Sequence, residues 1–275
     1  MKEKKIISHK FFDKHTIPGV IFLMLWGMIL PEFIIAIPVT IMTQTLGLDQ
    51  AIISLASAAG AFLVLAIHKR WFYPEFEGCL KSSVGFLHSW KVAAAILFFW
   101  FINFIIDFAS GGQITKPTLN MIALSLMAGC VEEAAFRGLG ISYLMRQWRD
   151  KNKITSALVI TSAAFGLIHA TNIFSGAGIV ITILQTVSAF FFGLFLGGVF
   201  LRCGNLWPLM IIHFVEDILA GITTPEGYIL THTVGWGDWA DTMLCIGLGL
   251  IGLYLIREER CPQIIALWDE KWKRQ

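Results

Sequence analysis

Eight stretches of this chain are apolar over about the length that a bilayer's hydrocarbon core demands, roughly 20 residues of helix. They run over 17–46, 51–67, 91–108, 119–145, 154–170, 179–201, 206–222 and 239–256. A backbone in lipid must satisfy its own hydrogen bonds, so runs of this length predict an all-α polytopic membrane protein of about eight transmembrane helices. The composition agrees, being 56% hydrophobic and 15% charged, with more apolar surface than a soluble domain of 275 residues can hide. No repeat, low-complexity segment or linker sets a soluble domain apart. The expected organisation is N-terminal helices and a cytoplasmic interfacial loop over 1–118, a segment with polar groups inside its helices over 119–222, and an external loop, last helix and cytoplasmic tail over 223–275.

The 21 Lys+Arg and 19 Asp+Glu leave a net charge of only +2, too balanced for a nucleic-acid partner, so the bilayer is the partner the composition implies. Where the cations stand is more informative. Lys2, Lys4, Lys5, Lys10 and Lys14 precede the first run, His68, Lys69, Arg70 and Lys81 follow the second, and Arg146, Arg149, Lys151 and Lys153 follow the fourth. Arg202 ends the sixth, and Arg257, Arg260, Lys271, Lys273 and Arg274 follow the eighth, whereas the alternate connections carry Lys116 and little else. The positive-inside rule then puts both termini in the cytoplasm of a multi-pass cell-membrane protein, as an even helix count requires. The first run is expected to be an anchor rather than a removable signal. Pro18, Pro31 and Pro38 predict a kink or break in it. The aromatic loop 69–90 reads as an interfacial segment, and 257–275 as a second one. Cys79, Cys130, Cys203, Cys245 and Cys261 are scattered without a CxxC pair, which argues against a disulfide framework or thiolate metal site.

Charge inside the apolar runs is the functional signal, because an ionised group at bilayer depth costs several kcal/mol, roughly 3 or more, unless paired or used. Glu132, Glu133 and Arg137 stand together in the fourth run. His9, His15, His68, His88 and His232 fall in tails or loops, which leaves His169 in the fifth run and His213 in the seventh, with Asp217 one turn beyond His213. These groups are expected to converge on one buried polar pocket. Glu133 and Arg137, four apart, suit a buried ion pair as well as chemistry. Glu132 points about 100° away from Glu133 on a helix and needs another occupation. A carboxylate desolvated in lipid is suited to act as a general base.

The Glu-Glu-x-x-x-Arg run at 132–137, the Phe-x-x-x-His run at 165–169 and the His-x-x-x-Asp run at 213–217 resemble, in order and in placement, the CPBP intramembrane peptidases. These are the type II CAAX prenyl endopeptidases and their bacterial relatives, also called the Abi family. The resemblance covers roughly 119–221. It implies a glutamic endopeptidase acting on a peptide or protein in or at the membrane. Glu132 would be base toward a water that His169 positions, His213 and the residue at 217 would face the oxyanion, and Glu133 with Arg137 would support them. Many relatives carry Asn at the last position. Ionised Asp217 cannot donate to an oxyanion, so it would be protonated or, as we favour, orient and charge His213.

Other readings remain at this point. Glu132, His169 and His213 offer the two-histidine, one-carboxylate set of a catalytic zinc, although the HExxH helix is missing, so no metal and no cofactor is expected. Gly235-Trp236-Gly237-Asp238 matches the GxGD signature of aspartyl intramembrane proteases with Asp107 as partner, but a glycine turn capped by Asp238 explains it as well. A non-catalytic immunity or scaffold protein, or a proton-coupled transporter using Glu32 beside Pro31, completes the alternatives.

Overall fold

A computed structural model describes residues 14–46, 49, 51–223 and 233–273; His9, His232, Arg274 and the lysines before Lys14 lie outside the described residues. The described residues form helices and no strand. Helix α1 (Thr16–Pro31) passes through a π-turn (Glu32–Ala36) into α2 (Ile37–Leu46), followed by α3 (Ala51–Ile67). A short α4 (Phe86–Val92) and α5 (Ala95–Ala109) precede α6 (Leu119–Glu132), which continues as a π-helix (Glu133–Ile141) into α7 (Ser142–Gln147). Then come α8 (Lys151–His169), α9 (Ile179–Cys203), α10 (Leu206–Thr223), α11 (Trp236–Leu255) and α12 (Cys261–Lys271). Among the described residues seven helical segments are long and apolar enough to span a membrane, and the pair α4 and α5, bent by 54°, makes an eighth if taken as one span.

The first run does not break: it stays one continuous helical span, and between Pro31 and Pro38 its α-winding gives way to a π-turn. Pro38 has no N–H for the carbonyl of Ile34, and the chain answers with i+5 bonding, the Ile37 N–H donating to Glu32 O. The third run departs from expectation in the opposite way, since it bends although it contains no proline. The bend parts Trp90 and Lys91 from the apolar helix that starts at Ala95. His68 and His88 are also helical rather than in loops. His68 opens a π-turn (His68–Phe72) that prolongs α3 and is buried against Tyr73 and Phe76, while His88 lies in α4.

Local signals place the helix ends around the polar segment. Thr118 Oγ1 accepts from the Met121 N–H at 3.1 Å and starts α6, and Asp150 Oδ1 accepts from the Lys153 N–H at 3.0 Å and starts α8. Gly204 ends α9 with φ +60°, and a side chain there would run into Lys271. Helix α9 is the central element, buried without interruption from Phe192 to Leu201 and packed most extensively on α11 and α8. Its contact with α11 is backbone to backbone: a Cβ at Gly252 would meet the Leu194 carbonyl and lie 2.7 Å from Phe195 Cα. Gly252→Ala is therefore expected to cost about 1–3 kcal/mol, read as a lower Tm in detergent. Gly247→Ala, on the same helix with nothing within 4 Å, should leave Tm unchanged or raise it.

The connections sort onto two ends. At one end Arg149 pairs with Asp269 at 2.8 Å, Lys151 donates to Ile256 O at 2.6 Å, and Ser82 donates to Cys203 O. Lys271, almost fully buried, donates to Gly78 O and Lys81 O at 2.9 and 2.6 Å. The aromatic loop is not wholly a lipid-facing segment. Trp71 and Phe86 are exposed, but Tyr73 and Phe76 turn inward, Phe76 stacking on Trp272 at 4.4 Å. Burial pushes the Cys79 thiol up to about 12, and all five cysteines are free and buried. At the other end Thr115 bonds to Ile222 O, and Thr223 donates to Asp107 Oδ2 at 2.9 Å. The loops that follow the second, fourth, sixth and eighth runs thus share one end, which is the grouping their cations predicted.

Candidate active site

The π-helix carries the glutamate and arginine cluster, and all nine of its residues are buried. It sits in the middle of the protein because glycine and alanine let its neighbours close in. Gly27 of α1 lies against Ala135 and Leu139, Gly138 against Leu65 and Leu206, and Gly140 against Met24 and Thr161. Its wider winding also re-aims the side chains where α6 ends, a feature that often marks a functional position.

Glu133 Oε1 accepts from Arg137 Nη1 at 2.8 Å, with both side chains at most 1% exposed. Arg137 also reaches Gly193 O at 3.4 Å, and its guanidinium lies 4.4 Å over the Phe165 ring. The ion pair foreseen from the i, i+4 spacing is therefore present, and it joins the π-helix to α8 and α9.

The same glutamate oxygen lies 2.9 Å from His213 Nδ1. A carboxylate can only accept, so Nδ1 carries a proton and Nε2 points to the opposite side. There it faces two further carboxylates, Glu132 Oε2 at 3.7 Å and Asp217 Oδ1 at 3.8 Å, both too long for a direct hydrogen bond. Glu132 and Glu133 thus do not part company as an ideal α-helix suggests; they stand at the two nitrogens of one imidazole. Orientation of His213, assigned from sequence to Asp217, falls to Glu133. The spacing of Asp217 is right, but its side chain is 34% exposed and stops short, whereas Glu133 is completely buried. Glu132 is 19% exposed overall, yet its Oε2 is buried and has no hydrogen-bond partner among the described residues.

His169 lies at the end of α8, with Nδ1 3.2 Å from Phe165 O. A carbonyl accepts, so Nδ1 donates and Nε2 is left as an acceptor. The Phe165 ring meets His169 edge-on at 5.2 Å and His213 at 5.7 Å, and His169 is within electrostatic reach of His213 and Asp217. All six residues singled out from the sequence therefore gather where α6, the π-helix, α8 and α10 meet.

Glu216 escaped the sequence reading. It accepts from Trp100 Nε1 at 2.7 Å and ties α10 to α5 beside Asp217. The signal was available, since Glu216 is a carboxylate in a predicted span. Among the described residues no three His, Cys, Asp or Glu side chains are arranged to hold a metal ion. Asp238 caps α11 by accepting from the Gly235 N–H at 2.7 Å, as the glycine-turn reading requires. Its GxGD partner Asp107 is within electrostatic reach but occupied by Thr223. Glu32 is half-buried in the first π-turn, with no recorded hydrogen bond or ion pair to the cluster among the described residues.

No curated protein and no solved structure matches this chain. Residues 114–219 match the family described as type II CAAX prenyl endopeptidase Rce1-like. That segment contains Glu132, Glu133, Arg137, His169, His213 and Asp217, the whole cluster built above. The chain is a multi-pass membrane protein whose residues 114–219 are similar to the type II CAAX prenyl endopeptidase Rce1-like family.

Proposed function

We propose that this protein is an intramembrane endopeptidase in which Glu132 activates water against a peptide bond of a membrane-associated peptide or protein. The observation that carries the reading is the imidazole of His213, locked by Glu133 at Nδ1 and facing Glu132 and Asp217 at Nε2. Glu132 Oε2, buried and without a hydrogen bond among the described residues, has a lone pair for a water proton and is too far from His213 to lose it to a direct bond. His169 Nε2 accepts the water's second hydrogen and aims the oxygen. Water oxygen adds to the carbonyl carbon as Glu132 takes the proton, and the carbonyl electrons move to oxygen. Protonated at Nε2, His213 donates to that oxyanion. Collapse of the intermediate breaks the C–N bond while Glu132 returns its proton to the amine nitrogen. Asp217 faces His213 Nε2 rather than donating to the oxyanion. Arg137 pairs with Glu133, which orients the ring.

Substrates are peptides or proteins whose scissile bond reaches the membrane, with a lipid-modified C-terminus or a peptide precursor as the two classes to test. Both termini are assigned to the cytoplasm from the charge distribution. A comparison of membrane and secreted peptides from cells making the wild type or Glu132→Gln is expected to yield new termini that depend on Glu132. Identical peptide sets at equal protein levels would favour the immunity or scaffold reading instead.

A further inference from the structure

Away from the cluster, three guanidinium groups converge where α9, α11 and α12 meet. Arg202, in the last turn of α9, and Arg260, just before α12, donate to the same oxygen, Gln263 Oε1, at 2.9 and 3.4 Å. Arg257 and Arg260 both lie within electrostatic reach of Arg202. Arg257 lies 4.0 Å over the Tyr254 ring, donates to Tyr254 O at 3.1 Å and pairs with Glu259 at 3.1 Å. Among the described residues neither Arg202 nor Arg260 forms an ion pair. Two cations that share one neutral acceptor repel each other, and Glu259 neutralises just one of the three. The arrangement is short of an anion.

Its depth says which anion. Arg202 closes the span Ile179–Cys203, and Arg257 and Arg260 follow immediately on the span Trp236–Leu255. At that level a bilayer presents headgroup phosphates. Below the guanidiniums α11 offers an apolar outer face with Leu250, Ile251 and Tyr254 exposed, Tyr254 being the aromatic expected at an interface. Planar guanidinium forks match phosphate oxygens better than ammonium groups do. We propose that Arg202, Arg257 and Arg260 bind a phosphate group, that of an anionic phospholipid whose acyl chains lie along the exposed face of α11. The site is separate from the glutamate cluster and does not depend on the chemistry assigned there.

The test uses full-length protein in detergent, with lipid retention read by native mass spectrometry and Tm read on addition of phosphatidylglycerol, phosphatidylcholine or inorganic phosphate. Wild type is expected to retain and be stabilised by phosphatidylglycerol in preference to phosphatidylcholine. Arg202→Gln with Arg260→Gln should bind it roughly thirtyfold more weakly, about fivefold for each cation lost. Arg260→Gln alone, in an exposed turn, supplies the fivefold step should the double variant not fold. Inorganic phosphate that binds as tightly as phosphatidylglycerol would keep the phosphate site and remove the lipid as its source. Equal retention of the two lipids without phosphate binding, or unchanged phosphatidylglycerol binding by folded variants, overturns the proposal.

Discussion

Glu132→Gln is expected to lower peptide cleavage by about 10²–10⁴-fold, the usual contribution of a general base. The helix content and Tm should stay near those of the wild type. The change is isosteric, and Glu132 makes no hydrogen bond to His213 that the fold would lose, the two lying 3.7 Å apart. His213→Ala should also cut the rate, but by removing the oxyanion donor. In the same assay, wild type treated with a chelator is expected to keep its rate. Arg137 already balances Glu133, and both nitrogens of His213 face carboxylates. Stoichiometric zinc whose removal stops turnover and whose return restores it would turn Glu132, His169 and His213 into ligands. Near-normal cleavage by purified Glu132→Gln would remove Glu132 from the role of base.

Arg137→Ala should have the largest effect on stability, about 3–5 kcal/mol, because it leaves Glu133 fully buried without its cation. His213 still touches the same carboxylate oxygen and keeps the loss toward the lower end. The substitution also empties the space over the Phe165 ring and drops the bond to Gly193 O, so α8 and α9 lose the polar link that Arg137 gives them to the π-helix. The expected readout is a lower Tm and lower yield of membrane-inserted protein, with Arg137→Lys intermediate. An Arg137→Ala protein as stable as wild type would mean that the pair is not what holds the π-helix in register.

Much of this molecule could be read along the chain. The apolar runs that became spans, the prolines around Glu32, the Thr118 and Asp150 caps and the Glu133–Arg137 pair are all local features. Each is recognised within a single continuous stretch of chain. The bend between α4 and α5, the inward turn of Tyr73 and Phe76, and the seating of Lys271 among the carbonyls of Gly78 and Lys81 could not be read in this way. Each depends on a partner element more than a hundred residues away or on a shape that no local signal announces. Glu216 is a different case, since its charge was visible but its partner Trp100 belongs to another helix.

By itself the sequence determined that the chain crosses a membrane, which connections share an end, and six ionisable candidates inside the apolar spans. These follow from the cost of placing charge and unpaired backbone in hydrocarbon, a cost paid residue by residue. The tertiary structure alone decided how the six are arranged around one another. A shift to π-winding after Glu132 brings two adjacent glutamates to opposite nitrogens of His213, and gives Glu133 the orienting contact that Asp217 is too distant to make. Hydrogen bonds require separations near 3 Å, and differences of 1 Å between candidate partners arise from how helices pack rather than from their order in the chain.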